Sequence, residues 1–135
     1  MIQVKKIQLT GLILLILLSG CKKSSLEPIE NTLIGKWTYT EYFYSIGGPA
    51  EWRTVTPANQ TIEFQPDGSL ISSVSFLKTA TKFEKIDSVT IKFQPAPTTR
   101  GYILMEYLIN TTKRELYLYP VDPICIEGCN NKFKR

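Results

Sequence analysis

Lys36-Trp37-Thr38-Tyr39-Thr40-Glu41-Tyr42-Phe43-Tyr44 decides the fold of this chain. Trp37, Tyr39, Glu41 and Phe43 alternate with Lys36, Thr38, Thr40, Tyr42 and Tyr44. Successive side chains of a strand point to opposite faces, so a period of two predicts a strand and not a helix. The dense aromatic and threonine content suits a pleated, half-buried surface.

Toward the C-terminus the strand pattern recurs between turn signals. Ser45 to Gln60 contains Gly47-Gly48-Pro49 and Pro57 and reads as a loop, longer than most connections in compact domains and therefore a place for function or motion. Thr61 to Gln65 sets Ile62 and Phe64 on one face, and Pro66-Asp67-Gly68 turns the chain into a strand from Ser69 to Leu77. Lys82 to Ile86 and Val89 to Phe93 form a second hairpin about Asp87 and Ser88. Gln94 to Gly101 is a loop by Pro95 and Pro97. Tyr102 to Asn110, the most apolar segment, reads as a strand apolar on both faces. Glu115 to Tyr119 follows with Leu116 and Leu118 inward, Pro120 and Pro123 end it, and Asn131 to Arg135 is a last short strand.

Eight antiparallel strands joined mostly to their sequence neighbours, without an amphipathic helix, predict an all-β domain. The arrangement expected is an eight-stranded up-and-down barrel, because closure removes exposed strand edges. A two-sheet sandwich is the alternative.

Toward the N-terminus, basic Lys5 and Lys6 precede a short apolar run that ends in Leu18-Ser19-Gly20-Cys21. Even counted from Ile7 to Leu18, that run is shorter than the ~20 residues of a membrane-spanning helix. The segment resembles the lipobox that closes a bacterial lipoprotein export signal. The resemblance implies a signal peptide over residues 1–20 and Cys21 as the lipidated first residue of the mature protein. A diacyl thioether plus an N-acyl group, with chains such as palmitate, anchors a protein stably. Residues 21–31 then form the lipidated cysteine and a polar tether, whose ten residues after Cys21 reach at most about 33 to 36 Å. The folded domain occupies residues 32–135. No aspartate follows Cys21 and no acidic run follows Lys22 and Lys23, so the expected location is an outer-membrane lipid anchor facing the periplasm.

Without Lys5 and Lys6, the 16 basic residues become 14 against 12 acidic ones, a net charge near +2. No basic cluster interleaves with aromatics, and nucleic acid is not an expected partner. The chain contains no histidine, which removes a histidine general base, a Ser-His-Asp set and imidazole metal ligands. Cys125 and Cys129, spaced Cys-x3-Cys with Gly128 between them, read as a disulfide in an exported protein. Two thiolates without histidine leave zinc short of four ligands. Carboxylate pairs can hydrolyse sugars, but Glu41, Glu63 and Glu106 read as solvent-facing members of alternating strands. Glu106 stands out because Leu104 and Leu108 flank it on the same face. No cofactor, no metal and no enzymatic activity are expected.

Gly35-Lys36-Trp37 has the Gly-x-Trp form that opens lipocalins. With the Ser45 to Trp52 loop, the Pro66-Asp67-Gly68 turn and Cys125-Ile126-Glu127-Gly128-Cys129, the domain resembles the small lipocalin-like lipoproteins of Bacteroidota. The resemblance implies that Trp37, behind Gly35, plugs the closed end of a barrel, with Arg135 or Lys134 over its ring in a cation–π contact. It also implies a monomer that binds a small apolar or amphipathic ligand at the barrel mouth. Tyr39, Phe43, Phe64, Phe76 and Tyr102 are the candidate lining, Trp52 and Arg53 frame the mouth, and Glu106 is a candidate polar contact. The alternative is a non-enzymatic interaction or inhibitory module, in which Tyr42, Tyr44 and Trp52 contact an envelope protein.

Overall fold

A computed structural model describes residues 32–126 and 128–135. The export signal, Cys21 and the tether lie outside the described residues. Among the described residues there are nine strands: β1 (Gly35–Tyr44), β2 (Glu51–Thr54), β3 (Thr61–Phe64), β4 (Leu70–Ser72), β5 (Lys82–Lys85), β6 (Thr90–Gln94), β7 (Ile103–Asn110), β8 (Glu115–Asp122) and β9 (Asn131–Lys134). The single helical turn among them is a 3-10 turn at Ser75–Leu77, and no helix there is long and apolar enough to cross a membrane.

Every pairing is antiparallel, and β1 organises the sheet. Its first half pairs with β3, from Gly35 opposite Phe64 to Thr38 opposite Thr61. Its second half pairs with β2, from Glu41 opposite Thr54 to Tyr44 opposite Glu51. β2 and β3 thus lie end to end and fill one position of the wall. The ring then runs in sequence order through β4 to β9 and returns from β9 to β1. This is an eight-position up-and-down barrel, and not a sandwich. Its thinnest seam lies between β4 and β5. There a single bridge, Ser69 to Lys82, is flanked by bonds from the Leu70 amide to Thr81 O at 2.8 Å and from the Phe83 amide to Gly68 O at 2.9 Å.

The turns form where polar side chains capture backbone donors. Asp67 Oδ1 accepts from the Ser69 amide at 2.9 Å, Asp87 Oδ1 from the Val89 and Thr90 amides at 2.8 and 2.7 Å, and Asn110 Oδ1 from the Lys113 amide at 3.0 Å. The Ser69 hydroxyl, which donates to Asp67 Oδ1 at 2.6 Å, and then the Ser69 amide lower the Asp67 pKa, and the Val89 amide with the Thr90 hydrogen bonds lowers that of Asp87.

Three segments differ from the sequence expectation. Pro120 does not end β8, which runs on to Asp122 with Pro120 opposite Met105 beside a register shift in the β7 ladder. The Ser45 to Gln60 loop contains β2, because the distal half of the ten-residue β1 requires a ladder partner there. The strand expected from Ser69 to Leu77 stops at Ser72. Ser73 Oγ accepts from the Thr61 amide at 2.8 Å and Ser72 Oγ from the Val74 amide at 3.1 Å, so hydroxyls replace ladder bonds and the chain curls into the 3-10 turn.

Inward side chains fill the lower barrel: Trp37, Ile62, Phe64, Ile91, Phe93, Leu116, Leu118 and Phe133 are fully buried. Phe64 meets Phe83 edge-on at 5.0 Å and Phe93 at 6.1 Å, so an aromatic trio packs across the β4–β5 seam. The ring of strands and its buried core lie within residues 32–135. The outer face of β7 is open to solvent at Glu106 and Leu108 and not covered, as a strand apolar on both faces would be.

Candidate functional site

The two ends of the barrel differ. At the closed end Trp37 Nε1 donates to Leu33 O at 2.9 Å, and the Arg135 guanidinium carbon lies 3.9 Å above the Trp37 ring centroid. Arg135 also donates to the carbonyls of Ile34 and Thr32. Gly35 has φ +117°, a conformation that L side chains rarely adopt, so the backbone there favours glycine.

At the open end, two clefts flank the loop that carries the Cys125–Cys129 disulfide, whose Cα atoms are 5.8 Å apart. The first, about 480 Å³, is bordered mainly by Tyr39, Tyr42, Phe43, Tyr44 and Ile126. The second, about 360 Å³, is bordered by Phe76, Ile103, Met105, Pro120 and Pro123. Both share Ile124, Cys125, Cys129 and Asn131. The loop is held from two sides. Asn131 Nδ2 donates to Cys129 O at 2.8 Å, and Gly128, at φ +68°, lies so near Phe43 that an added Cβ would stand 2.9 Å from the ring.

Asn131 is buried where the clefts meet, and Tyr39 donates its hydroxyl to Asn131 Oδ1 at 2.6 Å. Burial, reinforced by Tyr42, pushes the Tyr39 phenol up to about 12.

A register shift between Tyr39 and Glu41 decides which aromatics face the mouth. The bulge reverses the alternation, so Glu41 turns outward and Tyr42 turns inward onto the core. Phe43 goes with the outward set, meets Trp52 at 5.3 Å, and reaches the first cleft along its Gly128 border. Reading the period of two straight through β1 therefore gives the wrong face to its distal half. The visible sign is Glu41, a carboxylate in the middle of the supposed inward stripe.

Of the candidate ligand-binding residues, Tyr39, Phe43 and Phe76 border the clefts. The others lie elsewhere. Phe64 is sealed in the lower core. Trp52 is 40% exposed on the outer wall, 6.1 Å from Tyr117. Arg53 pairs with Glu51 at 2.8 Å and lies 4.3 Å over the Tyr44 ring. Tyr102 is half-buried, with its hydroxyl 3.4 Å from Arg100 Nη1. Glu106 is exposed opposite Thr90 and Tyr119. Tyr42, Tyr44, Ile103, Met105, Ile124 and Asn131 were not singled out as lining residues, because the bulge and the loop over the mouth leave no periodic signal.

On the outer wall, Lys132 binds Glu41 at 2.6 Å and lies 3.8 Å from Glu115, which is also 3.5 Å from Lys134. Tyr117 donates its hydroxyl to Glu115 at 2.7 Å. That hydrogen bond, helped by the two lysines and opposed by burial, lowers the Glu115 pKa. The Glu41 bond raises the Lys132 pKa. These carboxylates are committed to ion pairs, and among the described residues no acid–base pair faces the clefts. The arrangement offers apolar surface and one neutral hydrogen-bonding point, which is the chemistry of binding. Comparison with protein-family models, curated proteins and solved structures finds no match.

Proposed function

We propose that this protein is a lipid-anchored, non-enzymatic binding module of a cell envelope that holds a small apolar or amphipathic molecule at the barrel mouth. The observation that carries the reading is the pair of apolar clefts meeting at the buried Tyr39–Asn131 pair. Pockets that bind small molecules are mostly apolar with a few placed polar groups. The anchor rests on the sequence ahead of Cys21. The chain enters the barrel at Thr32 beside Arg135, at the end away from the clefts, which supports a mouth directed away from the anchoring leaflet.

Titration of the 15N-labelled domain with 1-octanol tests the binding reading. Saturable amide shifts at Tyr42, Met105, Ile124 and Asn131, with Lys85 and Glu106 still, are the expected result. Shifts that do not saturate refute it. The intact mass of the mature protein tests the anchor: Cys21 carrying acyl chains is expected, and a free Cys21 or retained preceding residues contradicts it.

A second reading, contact with an envelope protein, has one observation of its own. Trp52, Tyr117 and Tyr119 form an aromatic patch outside the barrel, with the two tyrosine rings 6° from parallel. Capture of a protein partner that is lost in Trp52→Ala, with no octanol response, would favour it.

A further inference from the structure

We infer, resting on the mouth reading above, that the two clefts are halves of one site selective for uncharged ligands: a ring in the tyrosine-bordered half, an apolar arm in the Met105 half, and a neutral hydrogen-bonding group between them at Asn131.

Ile124, Cys125, Cys129 and Asn131 border both clefts, so the two lie side by side against the same loop. Their linings are different in kind. One half presents aromatic faces, from Tyr39, Tyr42, Phe43 and Tyr44. The other presents Phe76 with aliphatic and thioether surface, from Ile103, Met105, Pro120 and Pro123. Among the described residues of either lining there is no Lys, Arg, Asp or Glu. Of the nearby cations, Lys132 is held by Glu41 at 2.6 Å on the outer wall, and Arg53 pairs with Glu51 at 2.8 Å while lying over the Tyr44 ring at the rim of the first half.

An anionic head entering this site would give up water and meet no counter-charge among the described lining residues, the costly case for any buried ion. The same environment that drives the Tyr39 phenol toward about 12 disfavours negative charge at the junction. A neutral group fares better. Asn131 Nδ2 carries two N–H donors and gives one to Cys129 O, and Tyr39 Oη, having donated its proton, keeps acceptor capacity. An alcohol or a secondary amide, which both accepts and donates, can use both. An ester can use the Asn131 donor alone, and a fatty-acid anion has no proton to give Tyr39 Oη.

Two fluorescent dyes separate the possibilities, since N-phenyl-1-naphthylamine and 8-anilinonaphthalene-1-sulfonate share one framework and differ by a sulfonate. Titrated at pH 7 into the domain of residues 32–135, the neutral dye is expected to bind at least tenfold more tightly. Net positive charge favours the anion in general, so such a preference reports the site itself. Ile124, exposed and bordering both halves, allows a converse test. Ile124→Lys places a cation at the junction and should move the ratio toward the sulfonate at least fivefold. Leu108→Lys, on the outer wall, should leave the ratio within twofold. Equal or tighter sulfonate binding in the parent, or a ratio that ignores Ile124→Lys, overturns charge selection. If octanol still shifts the mouth amides in that case, the binding reading survives; if neither dye nor octanol binds, both fall.

Discussion

At Trp37 a buried indole and the Arg135 guanidinium share one face, beside Gly35 in its positive-φ conformation. Arg135 adds bonds to two carbonyls of the entering chain, so it ties the first and last segments of the barrel. Arg135→Ala should cost about 2–3 kcal/mol in urea unfolding, from the lost cation–π contact and charged hydrogen bonds together. Arg135→Lys keeps the charge but not the planar fork, and should recover less than half of that loss. A change within ~0.5 kcal/mol for Arg135→Ala would show that the contact is incidental. Two titrating groups bound the stable pH range. Glu115 has a lowered folded pKa, first through the Tyr117 hydroxyl and then through Lys132 and Lys134. Its stabilising contribution is complete above the ordinary value of 4.5 and disappears as pH falls through the lowered one. Tyr39 works in the opposite direction. Its raised pKa favours the folded state in full below 10.0, and that contribution is lost as pH climbs toward about 12. Unfolding free energies against pH should show a shallower acid limb in Glu115→Gln and a shallower alkaline limb in Tyr39→Phe; unchanged limbs would contradict these assignments.

Among the elements, those with strict periodicity and side-chain-capped turns were legible in the sequence. The hairpins at Asp67 and Asp87 form where the turn residues place them, and Leu116 and Leu118 point inward from β8. The elements that were not legible depend on neighbours far away in sequence. β2 exists because β1 outruns β3, and β4 ends early because two serines take over its backbone bonds. The bulge after Tyr39 answers to the β9 register, a partner about ninety residues away, and local alternation carries no record of it. The same non-local dependence makes the β4–β5 seam the weak element, with packing standing in for ladder bonds. Phe83→Ala, which removes the edge-on contact to Phe64, should lower stability by about 2–3 kcal/mol. Hydrogen exchange at the Leu70 and Phe83 amides should then accelerate more than exchange along the long β7–β8 ladder. Uniform acceleration would mean that the seam is no weaker than the rest of the wall.

For the whole molecule, the all-β class and the sequence-order ring of eight wall positions follow from alternation and turn chemistry, whereas the ninth strand, β2, does not. The mouth does not, because its lining comes from a bulge, a 3-10 turn and a disulfide loop, none of which has a period. Of the residues that border it, strand alternation points to Tyr39, Phe43 and Phe76 alone as ligand contacts. The resulting body is asymmetric: Trp37 and Arg135 seal one end where the chain enters, and an uncharged apolar groove opens at the other. That groove is the centre of the functional reading. Native mass spectrometry of the protein extracted from its own envelope tests it most directly. The predicted result is a population carrying one small neutral molecule, which is released on unfolding and is absent from an Ile103→Arg variant that remains folded. A parent protein that carries no small molecule, or that carries the same one in Ile103→Arg, would contradict it.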